Sequence, residues 1–364
     1  MATATISSIN GDDFLARMDD SRLFLLDVRE PDEVEAWHIP GAHNIPLGSL
    51  VERLNELPRD MDLVVVCAMG ARAHQGADLL AERGISSEVL EGGMGTWAST
   101  YDIVTGEFGG ATVVQLRRRG KGCLSYVVGA GTRAVVIDPS RDVQRYLDVA
   151  AHHGWEITHV LDTHLHADHL SGARELTSVS GATLCLNPAD PFGFEFEPLS
   201  DGKTIELTPG INLAVSSVTV PGHTEGSTMY QIADAAIFTG DTLFLESVGR
   251  PDLADEAEGY AHHLYHSLHE RILPLDDDIT VFPAHYGSGV DVTTDEFVAR
   301  DLGSLRRTLP ALRLSEAEFV GWAVKNVKDR PGNYREIVRI NAGGASGDVD
   351  ASALEVGPNR CAIA

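Results

Sequence analysis

The sequence predicts an α/β protein of two domains, and three observations carry that expectation. At 364 residues the chain is too long for one ordinary domain and comfortable for two. Short apolar runs alternate with helical patterns through the first hundred residues. From about residue 112 the chain turns strand-rich, and one metal-ligating side chain after another follows directly behind an apolar run.

In residues 1–100, Leu23–Val28 and Leu63–Val66 read as buried parallel strands and Arg72–Arg83 as a helix. The loop Cys67-Ala68-Met69-Gly70-Ala71-Arg72 joins the second strand to that helix. A cysteine at a strand end, facing a helix N-terminus, sits among backbone N–H groups that favour negative charge. Arg72 adds a fixed cation, so a nucleophilic thiolate is expected at Cys67. With Leu25–Glu30, His38–Pro46 and Leu90–Trp97, this loop resembles the single-domain rhodaneses over nearly all of residues 1–100. The resemblance implies a rhodanese-like α/β domain in which Cys67 carries sulfane sulfur. The loop has the length of the sulfur-transferring members, not the longer loop of related phosphatases. Ala68 and Met69 bring no charge to a loop that is basic in many thiosulfate-using relatives, so the expected donor is a low-molecular-weight or protein persulfide. Asp27, His38 and His43 are read as loop-holding residues.

Residues 101–111 read as a connector, and 112–341 as the second domain. It opens with strands at Val113–Leu116, Leu124–Val128 and Ala134–Pro139, and the basic turn Arg117–Lys121 reads as a solvated hairpin tip. A helix at Val143–His153 and a strand at Ile157–Asp162 lead to Thr163–Gly172, which packs His164, His166, Asp168 and His169 into six positions. That density is a metal signal: imidazole and carboxylate suit zinc or iron, and three such rings cannot all enter a core with their nitrogens paired. The pattern then recurs, with Ala214–Val220 ahead of His223, Ala235–Gly240 ahead of Asp241 and Ile279–Ala284 ahead of His285. Two stacked sheets with a shared edge would bring these loops together.

The ligand set resembles the metallo-β-lactamase superfamily, which implies an αββα sandwich. Phe238–Phe244 continuing into Val248–Leu253, and Arg330–Val338, resemble the glutathione persulfide dioxygenases more narrowly. That resemblance implies one Fe(II) per chain on His164, His223 and Asp241, with His166, Asp168, His169 and His285 as neighbours or second-site donors. Ligand counting alone leaves open a pair of zinc ions and a thioester hydrolase of the glyoxalase II type. Two histidines and a carboxylate on one face leave positions for a persulfide sulfur and O2, with sulfite and glutathione as products. Arg250 is the candidate for gripping a glutathione carboxylate, a structural ion pair being the alternative. The imidazoles of Tyr260–His269 fit a solvated or packed helix, and Cys123 and Cys185 fit packing.

Composition narrows the function classes. The 28 Lys+Arg against 54 Asp+Glu give a net charge of −26, which disfavours nucleic acid and requires local positive charge wherever an anionic substrate binds. Four cysteines without a C-x-x-C pair suit a reducing compartment. No basic leader, apolar leader core or membrane-spanning run is evident, so no membrane association and a cytoplasmic location are expected. Cys361-Ala362-Ile363-Ala364 fits a prenylation box without a polybasic second signal and is set aside. The small, polar residues after Asn341 predict a disordered tail over 342–364. The combined reading is a persulfide dioxygenase with a sulfurtransferase domain, whose partners are glutathione persulfide, O2 and a sulfane-sulfur donor protein. A rhodanese module that only binds persulfide is the other class, and homo-oligomerisation stays open.

Overall fold

A computed structural model describes residues 4–208, 214–253, 256–287, 290, 292–293, 295–327, 330, 332–345, 347, 349–357 and 359–363. Met1–Thr3, Pro331 of the late motif, Ser346, Asp348 and Pro358 of the expected tail, and Ala364 of the expected prenylation box lie outside the described residues. The chain forms two compact units: Met1–Asp102 with Arg118–Lys121 and Asp350–Pro358, and Ile103–Arg117 with Gly122–Val349 and Asn359–Ala364.

In the first unit β1 (Ile6–Ile9), β2 (Leu23–Asp27), β3 (His43–Asn44), β4 (Asp62–Val66) and β5 (Ser87–Leu90) form a parallel sheet in the order β1-β5-β4-β2-β3. Successive residues of its central strands alternate between two cores. Leu26 and Val65 pack with Ala73 and Leu80, while Leu25 and Val64 pack with Phe14 and Trp97. Both sheet faces are covered, which is why these strands read as continuous apolar runs. The helix behind β4 runs Ala71–Ala81, and Cys67 lies in the loop ahead of it.

The second unit stacks two sheets. The first holds β6 (Tyr101–Phe108), β7 (Ala111–Arg118), β8 (Cys123–Ala130), β9 (Arg133–Ile137), β10 (Glu156–Leu161), β11 (Thr183–Leu186) and β12 (Glu197–Pro198) as neighbours in chain order. The second holds β13 (Thr204–Glu206), β14 (Ala214–Thr219), β15 (Thr228–Ile232), β16 (Ala236–Gly240), β17 (Thr280–Pro283) and β18 (Arg300–Asp301), again in chain order. Leu124, Tyr126 and Val128 of one share a core with Tyr230, Phe238 and Phe282 of the other. Helices Gln144–His153 and Ala173–Ser180 supply the other core of the first sheet, and Ala257–His266 and Glu316–Lys325 bring Leu264 and Phe319 to the shared one. This is the αββα sandwich expected.

Three local expectations fail. The connector is strand β6: Tyr101 and Val104 are buried, and Phe108 meets Phe282 edge-on with ring centres 5.0 Å apart. The basic turn is not a solvated tip. Arg117 donates to the carbonyls of Thr293 and Glu296 at 2.9 and 2.6 Å, and Arg118 pairs with the buried Glu355 at 2.8 Å. The tail is ordered among its described residues, with a helix at Ala351–Leu354 and buried Glu355, Cys361 and Ile363. The polar stretch suggested disorder, but these later residues anchor the chain. Among the described residues no helix is long and apolar enough to cross a membrane.

Candidate metal centre and sulfur-transfer loop

Every ligand candidate sits in a loop that leaves the end of a strand: His164 after β10 of one sheet, and His223, Asp241 and His285 after β14, β16 and β17 of the other. Gly240 lets β16 turn into Asp241 at φ +54°, where a Cβ would stand 2.6 Å from Thr163 Oγ1. Hydrogen bonds then fix which atom of each ligand faces inward. Thr163 Oγ1 donates to Asp138 at 2.9 Å and accepts from His164 Nδ1 at 2.9 Å, leaving His164 Nε2 with its lone pair. His223 Nδ1 donates to the Arg250 carbonyl at 2.9 Å, leaving its Nε2. His285 Nδ1 donates to Asp241 Oδ1 at 2.6 Å, leaving Oδ2. These three remaining atoms are buried without a hydrogen-bond partner, and Asp241 Oδ2 lies 3.5 Å from His164 Nε2 and 3.3 Å from His223 Nε2. Orphaned acceptors so close together are costly unless a cation binds them, so the donor set fits a borderline divalent metal.

Charge states agree with this fit. Burial and the neighbouring His166 hold His164 well below the usual imidazole range, and burial lowers His223, so both rings are held neutral, the form that can bind a metal. Burial opposes charge on Asp241, but His285, His164 and His223 outweigh it and hold the carboxyl far below its ordinary value.

The other candidates pair among themselves. His166 Nε2 lies 3.1 Å from Asp138, and its unpartnered Nδ1 does not join the three-atom cluster. Asp168 lies 3.0 Å from His169 Nδ1 and 2.9 Å from His285 Nε2, and it accepts from the Cys123 thiol at 3.3 Å. Two cysteines were missed from sequence. Donor atoms of Cys123, Asp168, His169 and His285 lie within 4.8 Å of one another, as do those of Asp241, His285 and Cys361. For Cys123 the only signal was its strand start, which forms an isolated bridge with His285. For Cys361 there was none, because it returns from far along the chain. Burial pushes the Cys361 thiol well up.

At Arg250 the contacts fit the structural ion pair that the sequence left as the alternative. Its guanidinium is buried, pairs with Asp252 through Nε and Nη2 at 2.7 and 2.9 Å, and donates to the Arg360 carbonyl at 3.0 Å. The fork expected to grip a substrate carboxylate is committed within the protein. The histidines of helix Ala257–His266 pair with Glu316, Glu270 and Glu225 and join no metal-competent group among the described residues.

In the first unit Cys67 follows directly behind β4 with its side chain buried, and Gly70 N–H donates to its sulfur at 3.1 Å. Gly93, at φ +56°, allows the Cys67 carbonyl to accept from Met94 N–H at 2.9 Å; a Cβ there would fall 2.0 Å from that oxygen. Arg72 makes a two-pronged pair with Glu33 at 2.6 and 2.8 Å. That bond first, and the charges of Glu33, Cys67 and Asp27 further, raise the Arg72 guanidinium against burial, while Glu33 is lowered to about 2. Asp27 is buried against Arg29 at 2.6 Å, His38 bonds the Val34 carbonyl and His43 meets Glu56, the loop-holding roles expected. Met69, two residues after Cys67, is 72% exposed.

The rhodanese-like domain matches residues 10–100 and the metallo-beta-lactamase superfamily matches residues 118–285. Fold and site together define a metallo-β-lactamase-fold protein carrying an N-terminal rhodanese domain. Persulfide dioxygenase ETHE1 of Bos taurus is 32% identical over 202 residues, 54% of this chain and 74% of that protein. The crystal structure of ETHE1 from Myxococcus xanthus is 27% identical with a TM-score of 0.57, covering 64% of this chain and 99% of that one. Hydroxyacylglutathione hydrolase of Methylobacillus flagellatus is 34% identical over 152 residues, 42% of this chain and 57% of that protein. The chain belongs to the persulfide dioxygenase family.

Proposed function

We propose that the chain oxidises glutathione persulfide with O2 to sulfite and glutathione at one Fe(II) held by His164, His223 and Asp241, and that Cys67 passes sulfane sulfur as a persulfide. The observation that carries this reading is the meeting of three buried, unpartnered lone-pair atoms beside a carboxylate whose other oxygen is committed to His285. Ferrous iron held by these two imidazoles and the carboxylate would supply open positions for a sulfur anion and O2, together with the electrons that activate O2. The chain's own residues arrange the rest. Thr163 and the Arg250 carbonyl hold the two imidazoles in one tautomer, and His285 fixes the Asp241 carboxylate. Glutathione persulfide, O2 and water balance against glutathione and sulfite. At Cys67 the thiolate attacks the outer sulfur of a donor persulfide and expels the donor thiolate. Gly70 N–H and the following helix N-terminus stabilise charge on the Cys67 sulfur. Joining the two sites in one chain raises the effective concentration of a labile intermediate.

Anaerobic purification, metal analysis and an oxygen electrode test the proposal. One iron per chain, with O2 uptake matched by sulfite on adding glutathione persulfide, is expected. Two zinc ions per chain with air-independent thioester cleavage would replace it with the hydrolase reading.

A further inference from the structure

The donors of the centre are committed in two different ways. His164 Nε2, His223 Nε2 and Asp241 Oδ2 make no hydrogen bond. Asp168, His169, His285 and Asp241 Oδ1, the donors a second metal would need, lie against one another: His285 Nδ1 donates to Asp241 Oδ1 at 2.6 Å, its Nε2 stands 2.9 Å from Asp168 Oδ2 as an ion-pair contact without a hydrogen bond, and His169 lies 3.0 Å from Asp168. Against this second half lies the end of the chain. Cys361 is 4% exposed, and its sulfur lies within 4.8 Å of donor atoms of Asp241 and His285.

The terminal segment Asn359–Ile363 is bound down as a strap. Arg250 N–H donates to the Cys361 carbonyl at 2.9 Å, Ile363 N–H donates to Val248 at 3.0 Å, and Ala362 bridges Gly249. Arg250 Nη1 donates to the Arg360 carbonyl at 3.0 Å, and Cys361 N–H donates to Asn359 Oδ1 at 2.7 Å. The Arg250 carbonyl in turn accepts from His223 Nδ1. One residue therefore ties the strap to a primary ligand.

We propose that this C-terminal strap, through Cys361, closes the second half of the centre and limits the chain to one metal ion. The inference rests on the one-metal reading of His164, His223 and Asp241 and names what enforces it. With the sulfur packed beside Asp241 and His285, the imidazole stays between two carboxylates, each facing a ring nitrogen that would otherwise bind metal. A second ion would have to break that bridge and take space the Cys361 side chain fills. A thiolate ligand role for Cys361 predicts the opposite response to its removal.

The test counts metal in the as-purified, iron-loaded protein after incubation with excess Zn(II) and removal of free ion. Wild type, C361A and a chain ending at Asn359 are compared, with circular dichroism establishing that each is folded. Total iron plus zinc is expected to stay near one per chain in wild type and to rise about twofold in C361A and in the truncated chain. If truncation unfolds the chain, C361A decides alone. Two ions in wild type, one ion in C361A, or metal loss from C361A would each overturn the proposal. Oxygen uptake with glutathione persulfide is read in parallel. A rise from one ion to two without uptake in wild type would remove the dioxygenase reading and keep the strap; uptake with one ion in both proteins would do the reverse.

Discussion

Asp241 divides its two oxygens between a hydrogen bond and a lone pair, so its effectiveness depends on His285 as much as on itself. Replacing His285 by Gln should lower metal affinity about 10- to 100-fold without removing any of the three proposed ligands, the usual cost of losing a partner that orients a ligand. Competition with a chromophoric chelator measures it. Glu33 and Arg72 give a pH prediction. Glu33 titrates at about 2 against an ordinary value of 4.5, chiefly through the Arg72 hydrogen bond. Its folded value is depressed, so the stabilisation is complete above pH 4.5 and fades as pH falls through 2. The melting-temperature difference between wild type and E33Q should be equal at pH 7 and pH 5 and shrink toward pH 2.5. The single residues readable in the sequence were those with local neighbours of their own kind: His164 to His169 announce a metal by density alone. Cys361 has no such neighbours, and its place beside Asp241 depends on chain that returns from elsewhere in the sequence. Arg250 was legible as important but not in role, because its ion partner Asp252 and its acceptor at Arg360 were invisible as contacts.

At the level of elements, ligand-after-strand spacing was enough to expect two stacked sheets with the loops behind β10, β14, β16 and β17 at a shared edge, while the strand order within each sheet came only with the structure. What failed were the joints. Strand β6 reads as a connector in the sequence because Gly106 within it and Gly109 and Gly110 behind it weaken the pattern, although Tyr101, Val104 and Phe108 carry the burial that makes it a strand. The basic turn was read by its charge, whereas its arginines satisfy backbone carbonyls and a buried glutamate brought by the chain's own end. Arg250 to Ala removes a largely buried ion pair and a hydrogen bond to the strap, so unfolding free energy should fall by about 3 kcal/mol. The Michaelis constant for glutathione persulfide should change by less than about twofold, since the guanidinium is already engaged by Asp252 and the Arg360 carbonyl. Urea denaturation and steady-state kinetics separate the effects. A tenfold rise in the Michaelis constant at unchanged stability would return Arg250 to the substrate.

For the whole molecule, the residues of the two proposed chemistries lie in separate compact units and should fail separately. Cys67 to Ser should abolish sulfur transfer and leave O2 uptake on added glutathione persulfide within about twofold, because the variant alters neither metal nor ligand. Loss of O2 uptake in that variant would mean that the substrate must pass through Cys67. The net charge of −26 acts on both sites at once. Glutathione persulfide is an anion, so at low ionic strength the acidic surface lowers its concentration near the protein, and attraction from a buried metal centre is short-ranged by comparison. Added salt shortens the Debye length from about 30 Å at 0.01 M to about 8 Å at 0.15 M and screens the repulsion more than any contact inside the site. Over that range kcat/KM for glutathione persulfide should therefore rise, by roughly two- to fivefold, with kcat nearly constant. Stopped-flow or oxygen-electrode rates at limiting substrate, in an inert salt, measure the slope. A falling kcat/KM would mean that a local basic approach to the site, rather than the overall charge, governs encounter.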